Sequence, residues 1–132
     1  MIDTNLFIAA IKRGKTKSTE LLLKLLEGPW DLLADDILVS EYEKYAAQFE
    51  ADAFLRLLLY RVVVVEQSDE EILKCKPFFP AIASADIIHA ATCLSVNAIL
   101  ISNDAHFKAI NKAGLIEVWT ISDAIERLLN RG

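Results

Sequence analysis

A chain of 132 residues, 54% of them hydrophobic, has the size of one domain and enough apolar side chains to build a packed core. Its 14 Lys and Arg against 19 Asp and Glu leave a net charge of −5, which argues against a broad basic face of the kind that supplies most nucleic-acid affinity. Apolar runs such as Val62-Val63-Val64-Val65 fall well short of a membrane span, and Met1-Ile2-Asp3 lacks a signal-peptide layout, so a cytoplasmic protein without membrane attachment is expected.

Short β-like runs alternate with helical patterns, which points to βαβ units and an α/β domain whose parallel sheet is covered on both faces. Met1 and Ile2 lead into Asp3. Residues 5–12 read as a first helix and 18–27 as a second, with Ser18 or Thr19 as cap, Gly28-Pro29 as stop and Leu21, Leu22, Leu25 and Leu26 as buried stripe. Residues 30–34 are apolar enough for a strand. From Asp36, the residues Ile37, Leu38, Glu41, Tyr42, Tyr45, Ala46 and Phe49 recur at helical spacing, which puts Glu41 on an apolar face. A carboxylate there must find a partner or shift its pKa. Residues 53–60 continue as helix and 62–66 as strand, and Ser68-Asp69-Glu70-Glu71 is a capping box for a short helix.

Pro77 and Pro80 then break the chain. Ser84 is expected to cap the next helix, with Asp86 in its first turn and Ile87, Ile88, Ala91, Cys93 and Leu94 continuing it. Residues 98–101 form a buried strand, Ser102-Asn103-Asp104 the turn at its carboxyl end, and 105–111 a helix closed by Gly114. Residues 116–120 and 123–129 give the last strand and helix. Cys75 and Cys93 lack CxxC spacing and a partnered His motif, so both read as reduced structural thiols.

Asp3, Glu41, Asp86 and Asp104 each stand where an apolar strand or helix meets a turn. Asp3 and Asp104 end strands, the place where open parallel sheets bind ligands. Singly, each acid has a plainer explanation: Asp3 and Asp104 as turn or N-cap residues, Asp86 as an answer to the helix dipole, Glu41 as a half-exposed side chain. Together they suggest different chemistry. Two carboxylates about 5 Å apart repel by roughly 3 kcal/mol at an effective dielectric near about 20, so four converging ones must take up protons or bind cations. Oxygen-only donors suit Mg²⁺ or Mn²⁺. One or two such ions suit phosphodiester hydrolysis, the first activating a water and the second stabilising the leaving oxygen.

The segments Met-Ile-Asp-Thr-Asn, Ile-Leu-Val-Ser-Glu-Tyr, Ala-Ser-Ala-Asp-Ile-Ile-His-Ala-Ala and Ile-Leu-Ile-Ser-Asn-Asp-Ala-His-Phe occur in that order, with eighteen positions from Asp86 to Asp104 and then Phe107. From residue 1 to about residue 120 the chain resembles the PIN-domain nucleases. The resemblance implies a three-layer α/β/α fold around a central parallel sheet of four to five strands. It also implies that residues 1–132 are a single nuclease domain, with a first strand shortened at the N-terminus because relatives usually carry more apolar residues there. The implied activity is a Mg²⁺- or Mn²⁺-dependent endoribonuclease leaving 5′-phosphate and 3′-hydroxyl ends. Asp3, Asp86 and Asp104 look like the primary metal ligands and Glu41 like the acid that completes the site. Asn5, Ser102 and Thr4 match supporting positions that orient carboxylates. Many relatives carry a further acid just before the Phe of the last segment, where this chain has His106, which leaves open whether one or two ions bind. His89 shares a helix face with Asp86 and reads as a packing feature, and His106 as a surface residue.

Phosphatases that begin Asp-x-Asp-x-Thr need a second aspartate where Asn5 stands, and receiver-type domains need an adjacent acidic pair and a later Lys that are not placed correctly here. Within the resembling family, the size without an accessory domain favours a VapC-type toxin of a toxin and antitoxin pair. An RNA-processing nuclease without an antitoxin, or a noncatalytic interaction module, is the alternative. RNA is the expected substrate, touched by Lys12, Arg13, Lys15 and Lys17, and a cognate antitoxin is a further partner. A mean hydropathy of +0.32, with Leu21-Leu22-Leu23 and residues 54–59 richer in Leu than one helix face can bury, predicts a homodimer through these helices.

Overall fold

The computed structural model describes residues 1–130. The chain opens with Met1–Asp3 lying beside a later strand and then enters helix α1 (Thr4–Ile11), for which Asp3 is the N-cap. Helix α2 (Lys17–Glu27) is capped by Thr16, not by Ser18 or Thr19: Thr16 accepts from the Thr19 N–H at 3.3 Å, and Thr19 Oγ1 accepts from the Thr16 N–H at 3.0 Å. This reciprocal pairing satisfies two otherwise orphaned donors and starts the helix one residue before the expected cap. Leu6, Phe7 and Ala10 of α1 and Leu21, Leu22, Leu25 and Leu26 of α2 are all buried, and the two helices pack together.

Strand β1 (Leu32–Ala34) leads into α3 (Asp36–Gln48) and α4 (Asp52–Arg61), and the chain returns as β2 (Val62–Val64), parallel to β1. Arg61, the last residue of α4, reaches back to the end of α2, donating to the Leu26, Gly28 (3.2 Å) and Trp30 (2.8 Å) carbonyls. Helix ends leave carbonyls without intrahelical partners, and one guanidinium with several donors answers three acceptors here. Helix α5 (Asp69–Cys75) begins at the expected Ser68 capping box. Pro77 sits inside a single 3-10 turn, Lys76–Phe78.

Helix α6 (Ser84–Val96) begins one residue earlier than a Ser84 cap implies, because Ala83 holds the cap position and supplies no side-chain bond. It ends at Asn97 in the left-handed conformation, φ 53°, a common helix stop. The chain reverses there into β3 (Ile99–Ile101). A 3-10 turn (Ala105–Phe107) and α7 (Lys108–Lys112) cross over to β4 (Glu117–Trp119), parallel to β3, and α8 (Ile121–Leu128) closes the described chain from a Thr120 cap.

Strand pairing is parallel throughout, as the βαβ alternation implies. A continuous sheet of four to five strands is not found among the described residues. Two separate ladders, β1–β2 and β3–β4, are present, and only Ile2 extends the second by a parallel bridge to Ile101. The carbonyl of Ile2 accepts from the Tyr42 hydroxyl instead of a neighbouring strand. An apolar cleft of about 310 Å³, lined by residues including Met1, Ile2, Leu32, Leu33, Ile99 and Trp119, lies between the ladders.

Phe7, Tyr42, Leu58, Leu100, Phe107 and Ile110 are fully buried in the core. The Phe7 and Tyr42 rings meet 5.2 Å apart, and Phe79 and Phe107 pack edge to face at 5.6 Å. Cys75 and Cys93 are buried and unpaired, and burial pushes their thiols up to about 11 and about 12. Among the described residues, no helix is long and apolar enough to cross a membrane. The leucines of α2 that suggested a dimer surface are mostly spent on the chain's own core, whereas Leu57, Tyr60, Val63 and Val64 along α4 and β2 are exposed.

Candidate metal centre

Asp3 is 6% exposed and its carboxylate is held from three sides. One oxygen accepts from the Thr4 N–H at 2.8 Å, and the other accepts from the Ser102 hydroxyl and, at 3.5 Å, from the Asn5 amide. Ser102 Oγ in turn accepts from Asn5 Nδ2 at 3.2 Å and from the Asp104 N–H at 3.0 Å. One hydroxyl therefore ties Asp3, Asn5 and the turn carrying Asp104 into a single network. Burial pushes the Asp3 carboxyl above the usual carboxylate range, and the Ser102 hydrogen bond offsets part of that rise.

Glu41 comes from the middle of α3, one residue before the buried Tyr42. Its Oε2 accepts from the Thr4 hydroxyl, and its Oε1 lies 3.8 Å from His89 Nε2. The other ring nitrogen of His89 stands 2.6 Å from Asp35 Oδ2, and both side chains are almost wholly buried. Asp35 also caps α3, accepting from the Leu38 N–H at 2.8 Å. Burial alone would lower the His89 imidazole, but the hydrogen bond to Asp35 and the Glu41 carboxylate 3.8 Å away outweigh it and raise its pKa to about 10. Glu41 shows the converse: burial pushes it up, and the nearby His89 and the Thr4 hydrogen bond bring it below its ordinary value.

Asp86 lies in the first turn of α6 and Asp104 caps the 3-10 turn, accepting from the His106 N–H at 2.9 Å. The turn brings His106 Nδ1 to 2.8 Å from Asp86 Oδ2 and 3.5 Å from Asp104 Oδ1. The hydrogen bond to Asp86, then the Asp104 charge, raises the His106 imidazole above its ordinary value. His106 is thus exposed but not a detached surface residue.

Asp3, Glu41, Asp86 and Asp104 all line one pocket of about 320 Å³, together with Thr4, Asn5 and His89. With the histidines next to them, the acids divide into two donor groups, Asp3, Glu41 and His89 in one and Asp86, Asp104 and, beside the pocket lining, His106 in the other. Asp3 and Asp104 serve as N-caps and also line the pocket. Among the described residues no Lys or Arg forms an ion pair with any of the four acids. A pocket whose four carboxylates are not tied up in Lys or Arg ion pairs, among the described residues, fits hard divalent cations such as Mg²⁺ or Mn²⁺.

Three lining residues were missed in the sequence: Ile8, Lys44 and Tyr45. Lys44 and Tyr45 follow Glu41 by three and four positions, the spacing that shares a helix face, and that signal was available. Lys12, Arg13 and Lys15 are exposed in the loop after α1 and do not line the pocket, while Lys17 pairs with Glu20 at 3.3 Å. The eight residues of α1 span about 12 Å from Thr4 to that loop.

The His89 pKa generates a stability prediction. Its folded value lies above the ordinary 6.5, so the stabilisation is fully present below about pH 6.5 and lost as pH rises toward about 10. Denaturant unfolding from about pH 6 to about 10 should show wild type losing stability more steeply than His89→Gln. Tyr42 and the two thiols titrate in both proteins and cancel in the difference; parallel curves would exclude a protonated His89.

A comparison with curated proteins finds no match. A family model described as PIN domain matches residues 1–113, a span that contains all four pocket acids, His89 and His106. The chain belongs to the PIN-domain family.

Proposed function

We propose that this chain is a Mg²⁺- or Mn²⁺-dependent endoribonuclease of the VapC type, acting as a single domain in the cytoplasm as the toxin of a toxin and antitoxin pair. PIN domains are generally nucleases. The observation that carries the reading is the set of four carboxylates lining one open pocket, none of them in a Lys or Arg ion pair among the described residues. Bound divalent ions would supply an activated water and charge stabilisation at the leaving 3′ oxygen.

The chain's own residues do the rest. Asp86 and Asp104 present oxygens at the mouth, and Asp3 presents one from below, fixed by Ser102 and Asn5. Thr4 and His89 hold Glu41 from two directions, so it keeps its charge and its orientation. Lys44 at the rim brings a cation toward an incoming phosphate, and Tyr45 offers a ring on which a base can stack. Lys12, Arg13, Lys15 and Lys17 extend the phosphate contacts along the single strand.

The exposed apolar residues Leu57, Tyr60, Val63 and Val64 lie on α4 and on strand β2, which has one hydrogen-bonded neighbour among the described residues. An unpaired strand edge with apolar side chains is a pairing surface. The homodimer therefore forms through α4 and β2, with the α2 leucines committed to the core.

Incubating a structured RNA and a single-stranded oligonucleotide pool with Mg²⁺, Mn²⁺ or EDTA tests the activity. Cleavage should require metal and fall by about a hundredfold or more in Asp86→Asn and Asp104→Asn. In the same samples, RNA binding should lose salt dependence when the four basic loop residues become Ala. Cutting that persists in EDTA, or in both Asn variants, would refute the metal nuclease. Light scattering should give a dimeric mass for wild type and a monomeric one for a Leu57→Glu, Val63→Lys double variant; a monomeric wild type would remove the dimer.

A further inference from the structure

Both donor groups include a histidine, but only in Asp86, Asp104 and His106 is its side chain open to solvent, 45% exposed against 2% for His89. We propose that His106 is a metal ligand through Nδ1, and that with Asp86 and Asp104 it forms a mixed nitrogen and oxygen site that takes Mn²⁺ or a similar first-row transition ion in preference to Mg²⁺. This rests on the metal nuclease reading above and deepens it by assigning the class of ion.

The geometry carries the assignment. Ligands at right angles on an ion with bonds of about 2.1 Å stand about 3 Å apart. Nδ1 of His106 lies 2.8 Å from one Asp86 oxygen and 3.5 Å from one Asp104 oxygen. The three donors come from well-fixed positions. Asp86 is in the first turn of α6, Asp104 is pinned by its bond from the His106 N–H, and the neighbouring Phe107 is fully buried. The His106 side chain is 45% exposed, so this group opens toward solvent, where water and a substrate phosphate complete a coordination shell.

The contrast with His89 is informative. Its Nδ1 is taken by Asp35, its side chain is 2% exposed, and Nε2 lies 3.8 Å from Glu41, so it is enclosed between two carboxylates and serves to position Glu41. Imidazole is a borderline donor that raises affinity for transition ions, whereas Mg²⁺ prefers oxygen and retained water. A site with one nitrogen in three protein donors therefore discriminates between ions that an all-carboxylate site would accept alike.

Calorimetric titration of the full chain with Mn²⁺ and with Mg²⁺, without RNA, tests this in wild type, His106→Ala, His106→Asp and Asp86→Asn, each checked for folding by circular dichroism. Wild type should bind Mn²⁺ about tenfold or more tightly than Mg²⁺. His106→Ala should lose about tenfold in Mn²⁺ affinity with little change for Mg²⁺, and His106→Asp should bring the two affinities together. Pulsed electron paramagnetic resonance of the Mn²⁺ complex should show a nitrogen coupling that His106→Ala removes. If His106→Ala keeps both the Mn²⁺ affinity and the coupling while Asp86→Asn abolishes binding, the His106 assignment falls and the nuclease reading stands. If wild type binds neither ion, both fall.

Discussion

The backbone pairing of Met1–Asp3 with β3 fixes the relative positions of the pocket acids. Ile101 donates to the Met1 carbonyl at 2.9 Å, and Asp3 donates to the Ile101 carbonyl at 3.0 Å. Residues nearly a hundred positions apart are thereby brought alongside in parallel, and both segments end at the same level. Asp3 leaves one and Ser102 leaves the other, so a single hydroxyl reaches from the second to the first. Tyr42 adds the third element. Its buried hydroxyl binds the Ile2 carbonyl, and the next residue back along α3 is Glu41. The strand-end placement expected of ligand sites in parallel α/β folds is achieved here by a pairing only a few residues long.

Concentrating acids at that point creates an electrostatic problem that the chain solves in part. On the buried side, His89 stands between Asp35 and Glu41 with its pKa raised to about 10. Hydrogen bonds from Thr4 and Ser102 hold Asp3, whose carboxyl is nevertheless pushed upward by burial. On the solvent side, His106 stands between Asp86 and Asp104 as the one nitrogen donor there. An RNA phosphate approaching this pocket meets net negative charge unless cations intervene. Divalent ions at the pocket and a local basic loop beyond it would reconcile the chain's overall charge of −5 with the RNA substrate proposed for it.

Much of this was legible in the sequence because the acids occupy positions with strong local signals. Asp3 and Asp104 follow apolar runs and open helical turns, Asp86 starts a helix, and Glu41 interrupts an apolar stripe. What was not legible depends on geometry across the chain. Asp35 stands next to Asp36, and either reads as a helix start. Only the fold shows that Asp35 is buried against His89, fifty-four positions away. The contact between His106 and Asp86 requires the 3-10 turn to fold back onto α6, which no spacing rule encodes. The gap between the two ladders was also invisible, since strands of three residues give too little pattern to tell adjacent ladders from one sheet. The α2 leucines misled for a related reason: a run of apolar residues signals burial without saying whether its partner is the same chain or another.

Everything proposed for the pocket turns on the four carboxylates forming a metal site. Crystals grown with saturating Mn²⁺ and measured at the manganese absorption edge test it most directly, because anomalous scattering locates the ion without reference to activity. A peak should appear in the pocket, about 2 Å from oxygens of Asp86 and Asp104 and on the side facing Asp3. A pocket with no anomalous peak, while manganese appears elsewhere on the surface, would contradict it.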